Sequence, residues 1–255
     1  MTGLGPGGAA DGPKTGRASG CGVSRATPRP ARWRELAWPD LWAAAGVMLA
    51  GQVTAFVAAL VLSRVLGGFS HTAAALGNLA LPVVLVLGGL CLISRANGLR
   101  WRQTAALALD FRTGDWVYPV LYLLIVLPAS FGTAVLIQGL GLTVGEVHKA
   151  LLTHPVTMVA GFTLVPLGEE LWGRGLVYGA LRRWGPWVAV PGTAILTAAV
   201  HLDPAQVLAT LPGMFALSWL RWRTGRLAPC VAAHAANNFV LAALLSLALR
   251  LGFSA

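Results

Sequence analysis

Six side chains in the C-terminal half of the chain have the types and spacing for hydrolytic chemistry. Glu169, Glu170 and Arg174 stand in VPLGEELWGRG, His201 in LTAAVHLDP, and His234 and Asn238 in APCVAAHAANNF. Successive helical residues are about 100° apart, so Glu169 and Glu170 cannot both point at one centre and should have different roles. Arg174, at i+4 from Glu170, can pair with it and lower the cost of burying a charge. His234 and Asn238, also i and i+4, share a helix face.

A carboxylate, two imidazoles and an amide are the groups that peptide-bond hydrolysis uses. Either the carboxylate or a metal held by the histidines activates water, imidazole and amide donors stabilise the oxyanion, and a protonated group releases the amine. Desolvation moves a carboxylate's pKa up toward the range of a general base. The sequence has no HExxH zinc helix, no GxSxG elbow and no GxGD motif. A glutamate and histidine site is the option that survives.

The elements that must position these groups belong to a membrane. Of 255 residues, 56% are hydrophobic and only 11% charged, and the mean hydropathy is +0.69. This is the profile of an all-α, polytopic membrane helix bundle. Seven apolar stretches can be read, at about 41–63, 73–93, 117–140, 156–181, 187–201, 207–221 and 228–250. Backbone groups in lipid must be satisfied within the segment, which makes each a helix. Residues 1–35 are rich in Gly, Pro and Arg and read as a disordered basic tail. Residues 36–255 read as the integral membrane domain.

The net charge of +10 is arranged for topology and does not call for nucleic acid. With the N-terminus cytoplasmic, fifteen of the 19 basic residues fall on the cytoplasmic side, while Arg64, Lys149 and Arg250 fall outside and Arg174 lies within a segment. Trp38, Trp42, Trp101, Trp116, Trp184, Trp187, Trp219 and Trp222 cluster at the same ends, as indoles at an interface do. A multi-pass protein of a bacterial plasma membrane is the expectation, with the lipid bilayer and a peptide or membrane-protein substrate as partners. The sequence sets no oligomeric state.

An ionisable residue inside a membrane costs several kcal/mol or more unless paired or hydrated. Asn78, Gln52, Gln138 and Asn237, taken singly, read as interhelical ties. Two carboxylates with two histidines exceed what such ties need. A transporter or proton pathway would use similar groups. Asp203, before Pro204, reads as a helix cap; His71, His148 and His154 read as solvated outer-loop residues; Asp110 and Asp115 read as loop charges. Cys21, Cys91 and Cys230 lack the spacing of a metal or redox pair.

The order EELWGR, then His201, then HAANN resembles the CPBP family, the CAAX proteases and bacteriocin-processing enzymes, whose motifs are EExxxR, FxxxH and HxxxN; the resemblance covers about residues 155–245 and implies a catalytic core there. The resemblance implies an intramembrane endopeptidase with Glu169 as the water-activating base and Glu170 and Arg174 as its neighbours. It implies that His201 helps bind the water or a divalent metal such as zinc, with Glu169, His201 and His234 as the ligands, and that His234 and Asn238 support the oxyanion. An idle member, serving in bacteriocin immunity or as a scaffold, is the alternative. Gly173 stands where the family usually has an aromatic residue, and Thr197 stands at the first position of FxxxH. Both remove apolar bulk and suggest a wider pocket. At 1.5 Å per residue, His234 lies about 9 Å and His201 about 20 Å along their own helices. A tilt, or a break near Gly175, Gly185 or Pro191, is expected to bring them level.

Overall fold

The computed structural model describes residues 36–68, 70–143 and 155–251. The expected tail, His148 and His154 lie outside the described residues. The described chain is all helical, without strands. It begins with α1 (Trp38–Val65), α2 (His71–Asn78), α3 (Ala80–Asn97), α4 (Trp101–Ala108) and α5 (Val117–Gly139). After residues 144–154 come α6 (Pro155–Gly161), α7 (Leu164–Glu170), a π-helical segment (Leu171–Val177) and α8 (Tyr178–Leu181). A single 3-10 turn (Arg182–Trp184) leads to α9 (Pro186–Ala199), α10 (Pro204–Thr224) and α11 (Ala228–Arg250).

Among the described residues four stretches are long and apolar enough to cross a membrane: Trp38–Val65, His71–Asn97, Val117–Gly139 and Ala228–Leu247. By length and hydropathy the described residues do not reach the expected count of about seven, for local reasons. Where one span was expected at 156–181, the chain is broken at Phe162–Thr163 and loosened into the π segment. The apolar helix α9, at 14 residues, rises about 21 Å, short of the roughly 30 Å hydrocarbon core. In α10, Gln206, Thr210, Ser218, Arg221 and Arg223 dilute the apolar run.

Local chemistry sets the boundaries. Ser70 caps α2 by accepting from the Ala73 N–H at 3.1 Å. Asp203 caps α10, its Oδ1 accepting from the N–H groups of Ala205 at 2.8 Å and Gln206 at 3.1 Å, the role expected from its position. Gly225, at φ 65°, ends the same helix in the left-handed region. Outward faces carry Phe56, Leu124, Phe131 and Trp187, all exposed, which suits contact with lipid rather than water.

The broken stretch from α7 through the π segment lies at the centre. It packs against α3 on one side and approaches α1, α10 and α11. Leu171, Leu176 and Val177 are buried there with Leu85 and Ile93 of α3. Close backbone approach makes the contact possible: a Cβ on Gly168 would meet the Pro82 carbonyl oxygen at 2.8 Å, and one on Gly89 would meet Leu171 Cβ at 3.0 Å. Trp172 donates its indole N–H to the Ala44 carbonyl at 2.8 Å, tying the segment to α1. Gln52 donates to the Val200 carbonyl at 3.3 Å, the interhelical tie expected of it.

Candidate active site

Glu170 is the hub. Its side chain and that of Arg174 are fully buried, and Arg174 Nη1 donates to Glu170 Oε1 at 3.0 Å. The same oxygen accepts from His234 Nδ1 at 2.8 Å. Arg174 uses its second terminal nitrogen on the Met214 carbonyl at 2.8 Å, with the Met214 sulfur at 3.2 Å. Arg221 donates its Nε–H to the Arg174 carbonyl at 3.2 Å. A charge pair this deep relies on added hydrogen bonds; α10 supplies that of Arg174 Nη2 and His234 one to Glu170, while Glu170 Oε2 and Arg174 Nε are buried without a partner among the described residues.

The π segment decides which side chains face inward. Its ladder runs i to i+5, as in the bond from the Tyr178 N–H to the Gly173 carbonyl. The wider turn shifts the phase of every residue after Glu170 relative to an α-helix, and such segments recur at functional sites. Here the shifted stretch begins immediately after the two carboxylates and contains Arg174.

Glu169 differs in environment, as the 100° offset requires. Its side chain keeps 26% exposure, and its Oε2 stands 3.8 Å from His234 Nε2. A carboxylate paired with arginine can only accept, so the hydrogen between His234 and Glu170 belongs to Nδ1. In the neutral imidazole that leaves Nε2 as a lone pair directed toward Glu169. Two acceptors then face one gap, and a water can bridge it by donating one hydrogen to each.

These groups open onto a cavity of about 750 Å³, with Glu169, Trp172, Arg174, Thr197, His201, His234 and Asn238 in its walls. His71, expected in a solvated outer loop, starts α2 and also lines this cavity. His201 is on the wall but outside the hydrogen-bonded cluster: its Nδ1 lies 3.1 Å from the Ala198 carbonyl of its own turn. The next residue, Leu202, has φ 62°, an unfavourable conformation for a branched side chain. Of the breaks expected near Gly175, Gly185 or Pro191, the chain turns at Gly185 while Gly175 lies within the continuous π segment and Pro191 within α9; His201 and His234 both line the cavity without a hydrogen bond between them. Asn238 donates to the Gly161 carbonyl at 2.8 Å, bracing the end of α6, and one amide hydrogen remains for the cavity.

Among the described residues no three His, Cys, Asp or Glu side chains stand together as a metal ligand set. Glu169 and His234 approach each other, with His234 Nε2 toward Glu169 and Nδ1 held by Glu170, but His201 does not complete a three-residue group with them. The three residues expected as ligands of a divalent metal are not gathered as one set in this arrangement.

The segment carrying all six residues can be compared with known proteins. Residues 151–240 match the family model of type II CAAX prenyl endopeptidases, Rce1-like. Over that stretch the chain is similar to the CAAX-protease-like family. No curated protein and no solved structure matches the chain. The two departures from the CAAX-protease motifs meet in space: a Cβ at Gly173 would lie 2.7 Å from Thr197 Cγ2. Each fills room the other leaves, so the small residues do not open a gap between their helices.

Sequence reasoning missed several contributors. Met214 and Arg221 hold Arg174, and nothing in their sequence context marks them. Asp115, read as a loop charge, is buried and bound by Arg226, whose Nη1 reaches Oδ1 at 2.9 Å and whose Nη2 reaches Oδ2 at 2.8 Å. Burial pushes the Asp115 carboxyl up, but Arg226, the Arg112 N–H and nearby positive charge outweigh it and hold the carboxyl below its ordinary range.

Proposed function

We infer that the protein is an intramembrane endopeptidase that cleaves a peptide bond with water activated by Glu169. The carrying observation is the relay in which Arg174 and Glu170 lock His234, leaving its Nε2 directed across a 3.8 Å gap at Glu169. A water in that gap gives one hydrogen bond to each acceptor, which turns an oxygen lone pair toward the cavity. As the water oxygen attacks the substrate carbonyl carbon, its proton passes to Glu169 and the carbonyl oxygen becomes an oxyanion. Glu169 then returns the proton to the amide nitrogen, the C–N bond breaks, and a carboxylic acid and an amine leave.

Glu170 has a different task. It holds His234 in one tautomer and orientation, as the buried carboxylate of a catalytic triad does. The exposure difference between the two glutamates supports this division: Glu169 reaches the cavity and Glu170 does not. In this reading the substrate is a peptide or membrane-protein segment, and the chain lies in a bacterial plasma membrane with the N-terminus cytoplasmic.

The test compares protein termini in membranes of cells lacking the protein, complemented with wild type or Glu169→Gln at matched expression. A new terminus produced only by wild type is the expected result. Identical profiles would reject the reading and favour an idle scaffold or immunity protein.

A further inference from the structure

The proposed reaction needs donors for the oxyanion, and His234 cannot be one while neutral, because Nδ1–H is bound to Glu170 and Nε2 has no hydrogen. Arg174 spends its terminal nitrogens on Glu170 and Met214. Thr197 donates its hydroxyl to the Thr193 carbonyl at 2.7 Å. Asn238 has one amide hydrogen left beyond its bond to Gly161. Oxyanion sites work through convergent, preorganised donors, so a second is wanted.

Tyr122 of α5 has the required properties. It is 5% exposed and lines the same cavity as Glu169 and His234. Its ring is clamped among Leu217, Cys230 and Ala233, the last adjoining His234 in sequence. A Cβ on Gly213 would lie 2.6 Å from the Tyr122 hydroxyl oxygen, so the oxygen rests against the backbone just before Met214, the residue that anchors Arg174. Yet among the described residues this hydroxyl makes no hydrogen bond to protein. The oxygen is not among the enclosed polar atoms left without a partner, so it opens on the cavity it shares with Glu169 and His234, where a hydroxyl uncommitted to protein is free to donate to a bound group.

We propose that Tyr122 is a catalytic residue whose hydroxyl donates a hydrogen bond to the substrate carbonyl oxygen as it becomes an oxyanion. The proposal rests on the endopeptidase reading. Gly213 belongs to the same device, because its missing side chain is the space the hydroxyl occupies.

The test uses the full chain in lipid nanodiscs and a synthetic peptide spanning the bond found by the terminus comparison. Tyr122→Phe, which preserves the ring, is expected to lower kcat about 100-fold, the usual loss for one oxyanion donor, with KM unchanged. Gly213→Ala should lower kcat in the Tyr122 background by displacing the oxygen, and should have no further effect in Tyr122→Phe. Full kcat in Tyr122→Phe, with Glu169→Gln dead, overturns the role of Tyr122 alone. If wild type and Glu169→Gln behave alike, the endopeptidase reading fails and takes this role with it. Should Tyr122→Phe not accumulate in membranes, an unchanged kcat in Gly213→Ala would itself overturn the proposal. A rise in KM with kcat intact would mark Tyr122 as a structural wall of the pocket, which also overturns it.

Discussion

Gly173 and Thr197 occupy one packing position between two helices, with Thr197 Cγ2 2.7 Å from where a Cβ on residue 173 would stand. Thr197 has a fixed rotamer, because its hydroxyl donates to the Thr193 carbonyl and its methyl is thereby aimed at Gly173. Neither helix can move apart without losing buried contacts on its other side.

Gly173→Ala is therefore expected to destabilise the protein by about 1–3 kcal/mol through overpacking. Thr197→Ser deletes the clashing methyl and keeps the hydroxyl, and should recover most of that loss in the double variant. Thermal unfolding of the four proteins in one detergent measures the coupling. Additive effects would show that the two residues do not meet.

Glu169 and Glu170 should separate cleanly by experiment. Removing Arg174, as in Arg174→Met, strands Glu170 at zero exposure and should cost about 3–5 kcal/mol, the penalty for an uncompensated buried charge. Glu169→Gln, on a partly exposed side chain of the same shape, should change stability by about 0.5 kcal/mol or less while abolishing cleavage. A stability scan alongside the terminus comparison checks both.

The Asp115 pair predicts a pH dependence. Its carboxyl is held below the ordinary value of 3.8, so the native state binds a proton less readily than the unfolded chain. The stabilisation is present above that ordinary value and disappears as pH falls through the lowered folded-state value. Asp115→Asn should thus cost about 2 kcal/mol at pH 6, and the gap to wild type should narrow as pH drops below 3.8. Unfolding midpoints from pH 6 downward follow it; a gap independent of pH contradicts the pairing.

Asn238→Ala should free the end of α6. Loss of the 2.8 Å bond to the Gly161 carbonyl is expected to cost about 1–2 kcal/mol. Hydrogen exchange should quicken at residues 155–163 more than in α3. Cleavage should fall by less than in Glu169→Gln if bracing is the main task of this amide.

Much of the candidate site was legible in one dimension. Glu169, Glu170, Arg174 and His234 stood out because charges in an apolar stretch are costly and so carry information. The i, i+4 spacing of Glu170 and Arg174 anticipated their pairing, and Pro204 after Asp203 anticipated a helix start. His201 shows the limit of that method. Rise along a helix gives its depth, but not the rotation and turn geometry that send its Nδ1 to the Ala198 carbonyl. Tyr122 was invisible for a related reason: one tyrosine in an apolar helix has no pattern that distinguishes a lipid anchor from a donor in a cavity.

By itself the sequence determined that the chain is helical and apolar enough to cross a membrane, where its longest apolar spans run and which polar side chains lie among them. Hydropathy and side-chain type settle these locally, residue by residue. The tertiary structure decided which glutamate is buried and which faces the cavity, that Arg174 leans on Met214, and that Tyr122 joins residues more than forty positions away. Helices that are apolar nearly all round carry little phase information in their sequence. Their rotation is set by where backbones can approach, at Gly168, Gly173 and Gly213, and by the π turn that re-aims the residues after Glu170.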